Sequence, residues 1–174
     1  MGVILCGGNS SRMGRDKGLM LREGVPWARH MADKLSPFHL PVVFSINASQ
    51  VDAYSAFVPA AALVTDNVPV SGPLKGLLSV HEQFPGTDLL LLACDMLDVD
   101  GPTIGHLIAS YGAGGYEFYA YQESTFFQPL CAIFTAAALE RGTQEPSLQM
   151  LLRHGKTRSL AVLRSEAFRN YNSL

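Results

Sequence analysis

Arg12 and Lys17 lie in the stretch LCGGNSSRMGRDKGLM, which begins at the end of the apolar run GVIL at residues 2–5. Adjacent glycines, Gly7 and Gly8, precede Ser10, Ser11 and Arg12, and Gly14, Arg15 and Lys17 complete the segment. Glycines let backbone N–H groups approach an anion closely, and hydroxyl, guanidinium and ammonium groups add donors and positive charge. Holding a chain of phosphates is the chemistry these parts suit. The order of residues is neither GxxxxGK[ST] nor GxGxxG, so this is not a P-loop or a dinucleotide fingerprint. Asp95, in LLLLACDM, follows a run of leucines. A carboxylate there is costly unless it stands at an exposed strand end or holds a cation. Mg²⁺ takes one or two carboxylates together with phosphate oxygens, which makes Asp95 the candidate metal ligand. Asp100, ahead of GPTIGHLIASYG, fits a helix N-cap instead.

The elements that must position these residues alternate along the chain. GVIL (2–5), PVVFSIN (41–47), AALVTD (61–66) and DLLLLACD (88–95) have the length and flanks of buried strands. Helical patterns fill the intervals: 27–35 with Pro26 in its first turn, a short one within 49–57, 73–84, and 101–112. YEFYAYQE and FFQPLCAIF are aromatic-rich strands, and Pro129 inside the second predicts an edge, a bulge or a cleft-lining loop. TAAALERG and PSLQMLLRHG are helical, RSLAVLR is a last strand, and AFRNYN closes the chain. Strand–helix alternation predicts an α/β fold, a Rossmann-like three-layer sandwich with a mostly parallel sheet, in one domain over 1–174. In such sheets ligands bind beyond the carboxyl ends of the strands. That edge receives the 6–17 loop, Asn47, Asp66 and Asp95.

Composition narrows the class. A formal net charge of −2 argues against a nucleic-acid binder, so the cationic loop is a local feature. Three cysteines without a CxxC pair fit small core residues of a reduced, intracellular protein. No apolar run reaches the length of a membrane span and no export signal is evident, so a cytoplasmic, non-membrane protein is expected. The five histidines, His30, His39, His81, His106 and His154, have no metal-ligand spacing. Ser10 and Ser11 lack a GxSxG elbow.

Together the motifs resemble a known family. LCGGNSSRMGRDK is similar to the LAGG-x-x-x-RMG-x-DK signature of the molybdenum cofactor guanylyltransferases. The likeness continues in order through Asn47, Asp66, SGPLKG, LLLLACDM and QPLCAIF to FRNYN. It implies a fold of the nucleotide-diphospho-sugar transferase kind and transfer of GMP from GTP to the terminal phosphate of molybdopterin, with Mg²⁺ and release of pyrophosphate. Carried over by position, Leu5, Cys6, Gly7 and Gly8 would contact the nucleotide, Lys17 its phosphates, and Asn47 and Asp66 its base and ribose. Asp95 would bind Mg²⁺, and Arg12, Lys17 and Asp95 would form the catalytic set. Gly72, Gln128, Asn170 and Asn172 would lie on the acceptor side. The resemblance also implies GTP and molybdopterin as substrates and transient contact with molybdoenzyme maturation proteins. Two departures are visible: Cys6 replaces the family's Ala, and Leu97 replaces the Pro common after CDM.

Three other functions compete. A cytidylyltransferase on the same cofactor usually reads LAAG and lacks GPLKG, and sugar-phosphate nucleotidyltransferases generally have longer chains. A non-enzymatic nucleotide-binding partner is disfavoured by the intact Lys17 and Asp95.

Overall fold

The structure is a computed structural model and describes residues 1–7, 16–141 and 144–171. After β1 (Gly2–Leu5) come a small hairpin, β2 (Leu21–Arg22) and β3 (Val25–Pro26), and then α1 (Trp27–Asp33). The chain continues through β4 (Val42–Ile46), α2 (Val51–Ser55), β5 (Leu63–Thr65), α3 (Pro73–Gln83) and β6 (Leu89–Ala93). It finishes with α4 (Gly101–Gly112), β7 (Phe118–Glu123), β8 (Phe126–Phe134), α5 (Ala136–Glu140), α6 (Leu148–His154) and β9 (Thr157–Ala161).

Seven strands form one sheet in the order β5-β4-β1-β6-β8-β7-β9. All pairings are parallel except those made by β8, which runs against both β6 and β7. Both faces of the central strands are covered, which is why β1 and β6 are buried along their whole length and do not alternate. Ile4, Phe44, Leu90 and Leu92 face one core with Trp27, Met31, Ile104 and Leu107. Val3, Leu5, Leu89 and Leu91 face the other, with Leu74, Leu77 and Val80 of α3. Among the described residues no helix is long and apolar enough to cross a membrane.

The hairpin differs from expectation. Pro26 does not open the first turn of α1; it pairs with Leu21 in β3 and stands at the N-cap, with the helix beginning at Trp27. The turn between the strands holds Glu23 and Gly24 at φ 53° and 79°. Positive φ at both central residues is the requirement of a type I′ turn. Pro129, by contrast, behaves as predicted. The β7–β8 register breaks between Ala120 and Gln122, so that residues 128–131 of β8 bulge opposite Tyr121.

Candidate active site

From β1 the chain steps outward to β4 and β5, then returns to the other side of β1 as β6. That reversal is the switch point, beyond the carboxyl ends of β1 and β6, where sheets of this kind form their ligand crevice. Asp16 caps a 3-10 turn over Lys17–Leu19, accepting a hydrogen bond from the Gly18 N–H at 2.9 Å. The turn aims Lys17 across the crevice, where its Nζ donates to Asp95 Oδ2 at 2.8 Å. Both side chains keep partial access to solvent, at 21% and 15% exposure, so ligands can reach the pair.

Asp95 is held from its other side. Its carbonyl accepts from the Tyr171 N–H at 2.9 Å, and the Tyr171 hydroxyl donates to Asp98 at 2.8 Å. Arg22 and Arg169 flank that Asp98 carboxylate at 4.0 and 3.9 Å. Lys34 Nζ donates to the carbonyls of Leu97 and Val99 at 2.5 and 2.6 Å, and burial lowers its pKa. The turn after Asp95, through Leu97 and Val99, is thus fixed by Lys34. Among the described residues no group of three or more His, Cys, Asp or Glu gathers around a metal position. A single carboxylate is nonetheless the donor set that suits Mg²⁺ carried in with phosphates, since that ion keeps waters and phosphate oxygens as its remaining ligands.

One side chain ties the strand ends together. Gln50 Nε2 donates to the Asp16 carboxylate at 2.5 Å and to the Cys6 carbonyl at 3.3 Å. Its Oε1 accepts from the Asn47 N–H at 2.6 Å. Tyr54 adds a bond to Asp16 at 3.1 Å, and burial drives its hydroxyl pKa far above the usual tyrosine range. Asp16 and Lys17 are thereby held by residues that follow β4.

Asp66 has a different environment. It is buried and accepts from Ser45 Oγ at 2.6 Å. Burial raises its pKa, against the opposing effects of Ser45 and Lys75. Gly7 is required beside it, because a Cβ there would stand 2.3 Å from Asp66 Oδ2. The N–H groups of Cys6 and Gly7 both donate to the Ser45 carbonyl, and the Leu5 carbonyl accepts from Cys94. Gly76 of α3 packs equally close on Ser45 and Leu5, bringing the SGPLKG segment to this edge.

On the acceptor side, Gln128 is half-buried at the β8 bulge, beyond the last β6–β8 pair at Leu92 and Cys131. Asn170 is exposed between Arg169 and Tyr171. Gly72 is exposed at φ +68° and caps α3. Asp100 caps α4 as expected, accepting from the Thr103 N–H at 2.9 Å. Gly8, Ser10, Ser11, Arg12, Gly14, Arg15 and Asn172 lie outside the described residues. The structure adds Gln50, Tyr54 and Lys34, which the sequence did not single out, and gives a capping role to Asp16 of the RDK motif. Gln50 had a legible signal: Asn47 followed three residues later by Gln is a capping-box spacing.

A mostly parallel sheet with a lysine after its first strand paired to a carboxylate at the switch point defines an α/β domain of the nucleotidyltransferase kind. The chain belongs to the family described as the MobA-like NTP transferase domain, which matches residues 2–165. It is 29% identical over 150 residues to the molybdenum cofactor biosynthesis bifunctional protein of Synechocystis sp., covering 84% of this chain and 42% of that one. It is 42% identical over 96 residues to the molybdenum cofactor guanylyltransferase of Ralstonia nicotianae, covering 54% and 46%. The chain therefore spans about half the length of these curated relatives. Its fold is similar to that of molybdopterin-guanine dinucleotide biosynthesis protein A from Archaeoglobus fulgidus, with a TM-score of 0.78, 22% identity and coverage of 99% and 93%.

Proposed function

We propose that the chain is a molybdenum cofactor guanylyltransferase, moving GMP from GTP to the terminal phosphate of molybdopterin in the presence of Mg²⁺. The observation that carries this reading is the Lys17–Asp95 pair at the switch point of the sheet. The names of the curated relatives support the choice of guanylyl transfer.

In the reaction an oxygen of the acceptor phosphate bonds to the α-phosphorus of GTP. The bond from that phosphorus to the α,β-bridging oxygen breaks, and its electron pair leaves with pyrophosphate. A phosphate monoester with a second pKa of about 6 is mostly dianionic at neutral pH, so no proton need be removed from the nucleophile. The chain accordingly needs positioning and charge neutralisation more than a general base. Lys17 supplies positive charge to the phosphates and Asp95 is the group to hold Mg²⁺. When bound, the metal neutralises charge across the phosphate oxygens. In the free protein the ion pair keeps the two groups poised at the same place, each neutralising the other.

Calorimetric titration with GTP, CTP, ATP and UTP, with and without Mg²⁺, tests this, followed by pyrophosphate release with molybdopterin. A preference for GTP and Mg²⁺-dependent release are expected. A preference for CTP would overturn guanylyl transfer, and failure to bind any nucleotide would overturn nucleotidyl transfer altogether.

A further inference from the structure

Beyond the Asp95 turn, α4, β7 and the segment after β9 enclose a cavity of about 270 Å³. Thr103, His106, Tyr121, Leu163, Arg164 and Phe168 are among its walls. Phe168 belongs to the FRNYN segment, and the sequence offered no reason to single out the others.

The hydrogen bonds fix what this cavity presents to a ligand. The Tyr121 hydroxyl donates to the Thr103 carbonyl at 3.0 Å, and the same oxygen lies 3.1 Å from His106 Nδ1. A hydroxyl has one proton to give, so the second contact requires Nδ1–H to be the donor. Burial pushes the Tyr121 pKa up to about 12, which keeps that hydroxyl protonated. In neutral His106 the Nε2 then carries a bare lone pair, a hydrogen-bond acceptor. Arg164 uses NH1 on Asp100 at 2.8 Å, and its fork has further donors. Tyr121 and Phe168, with ring centroids 5.0 Å apart, supply aromatic wall. An acceptor nitrogen, guanidinium donors and aromatic surface together complement a flat heterocycle whose edge offers both N–H and C=O.

Phe168 also sets the distance to the reaction. Three residues further on, the Tyr171 N–H bonds to the Asp95 carbonyl, and three extended residues span at most about 10 Å. A ring seated against Phe168 would therefore lie within reach of Asp95 through a phosphate-bearing side arm. The cavity belongs to the β7–α4 half of the sheet, whereas Asn47 and Asp66 follow β4 and β5 on the opposite side of β1.

We propose that this cavity binds the pterin ring of the acceptor, with His106 Nε2 accepting from the ring's 2-amino-4-oxo edge and Arg164 donating to it. The acceptor role rests on the guanylyltransferase reading; the ring-binding chemistry stands on the cavity itself.

The test is binding of free pterin to the intact protein, followed by the ring's own fluorescence, in wild type, His106→Phe and Leu163→Trp. Phenylalanine keeps the ring but removes the lone pair. Tryptophan at the exposed Leu163 fills the mouth without touching the core. Saturable binding to wild type is expected, weakened about tenfold by His106→Phe, the worth of one hydrogen bond, and blocked by Leu163→Trp. Equal binding by all three proteins, or no saturable binding to wild type, would overturn the proposal. So would displacement of pterin by GTP, because guanine has the same edge and the cavity would then be the nucleotide's. GTP titration of the wild type separates the two readings: pterin bound without GTP leaves the cavity's chemistry standing and removes the guanylyltransferase function.

Discussion

Asp95→Ala should abolish Mg²⁺-dependent turnover, by 100-fold or more on the scale of a lost electrostatic stabiliser. Lys17→Ala should instead weaken GTP binding by about tenfold, a charge-assisted hydrogen bond's worth. Calorimetry and initial rates distinguish the two losses, and full activity in Asp95→Ala would show that the metal is held elsewhere. Gln50 carries a different expectation because it joins the Asp16 carboxylate, the Cys6 carbonyl and the Asn47 N–H. Gln50→Leu deletes its bonds to Asp16, Cys6 and Asn47 together. Its expected signature is a KM for GTP raised about tenfold with a smaller change in kcat, since the loss falls on where Lys17 is held. A fall in thermal stability with unchanged KM would mean that Gln50 serves the fold alone.

The close packing of α3 on the central strands is tested at Gly76. A methyl group there would stand 2.4 Å from Ser45 Oγ and 2.6 Å from Leu5 Cδ2. Gly76→Ala should cost about 1–3 kcal/mol in urea unfolding, as overpacked sites do. Gly72→Ala has open space around it and should cost about 1–3 kcal/mol from its backbone alone, since φ 68° with ψ −161° is a conformation almost confined to glycine. Most elements were legible because buried parallel strands are short, apolar and separated by helical spacing, and β1 has the expected residues 2–5. The β2–β3 hairpin was not, since two-residue strands carry no periodicity and Pro26 imitates a helix start. Asp95 was legible as a charge after a leucine run. The staple through Gln50 was hidden because its partners, Cys6 and Asp16, are distant in sequence and meet it only through the β1–β4 pairing.

For the molecule as a whole, the buried Asp66 makes stability depend on pH. Its folded pKa lies above the ordinary 3.8. Below that value both folded and unfolded chains hold the proton. As pH rises toward the folded pKa the unfolded chain releases it first, so this residue's contribution to stability declines and then levels off. Asp66→Asn can still accept from Ser45, and its Tm relative to wild type should climb from pH 4 upward and reach a plateau. A constant difference across that range would mean that Asp66 titrates normally. The sheet order also has a consequence for the chain as it is made. Residues 2–5 pair on one side with 42–45 and on the other with 90–93. At 5–20 residues per second the ribosome needs roughly 4–18 s to deliver that second neighbour. Until then β1, an interior strand of the finished sheet, is an apolar edge, so a nascent chain stalled before residue 90 should be a preferred client of chaperones.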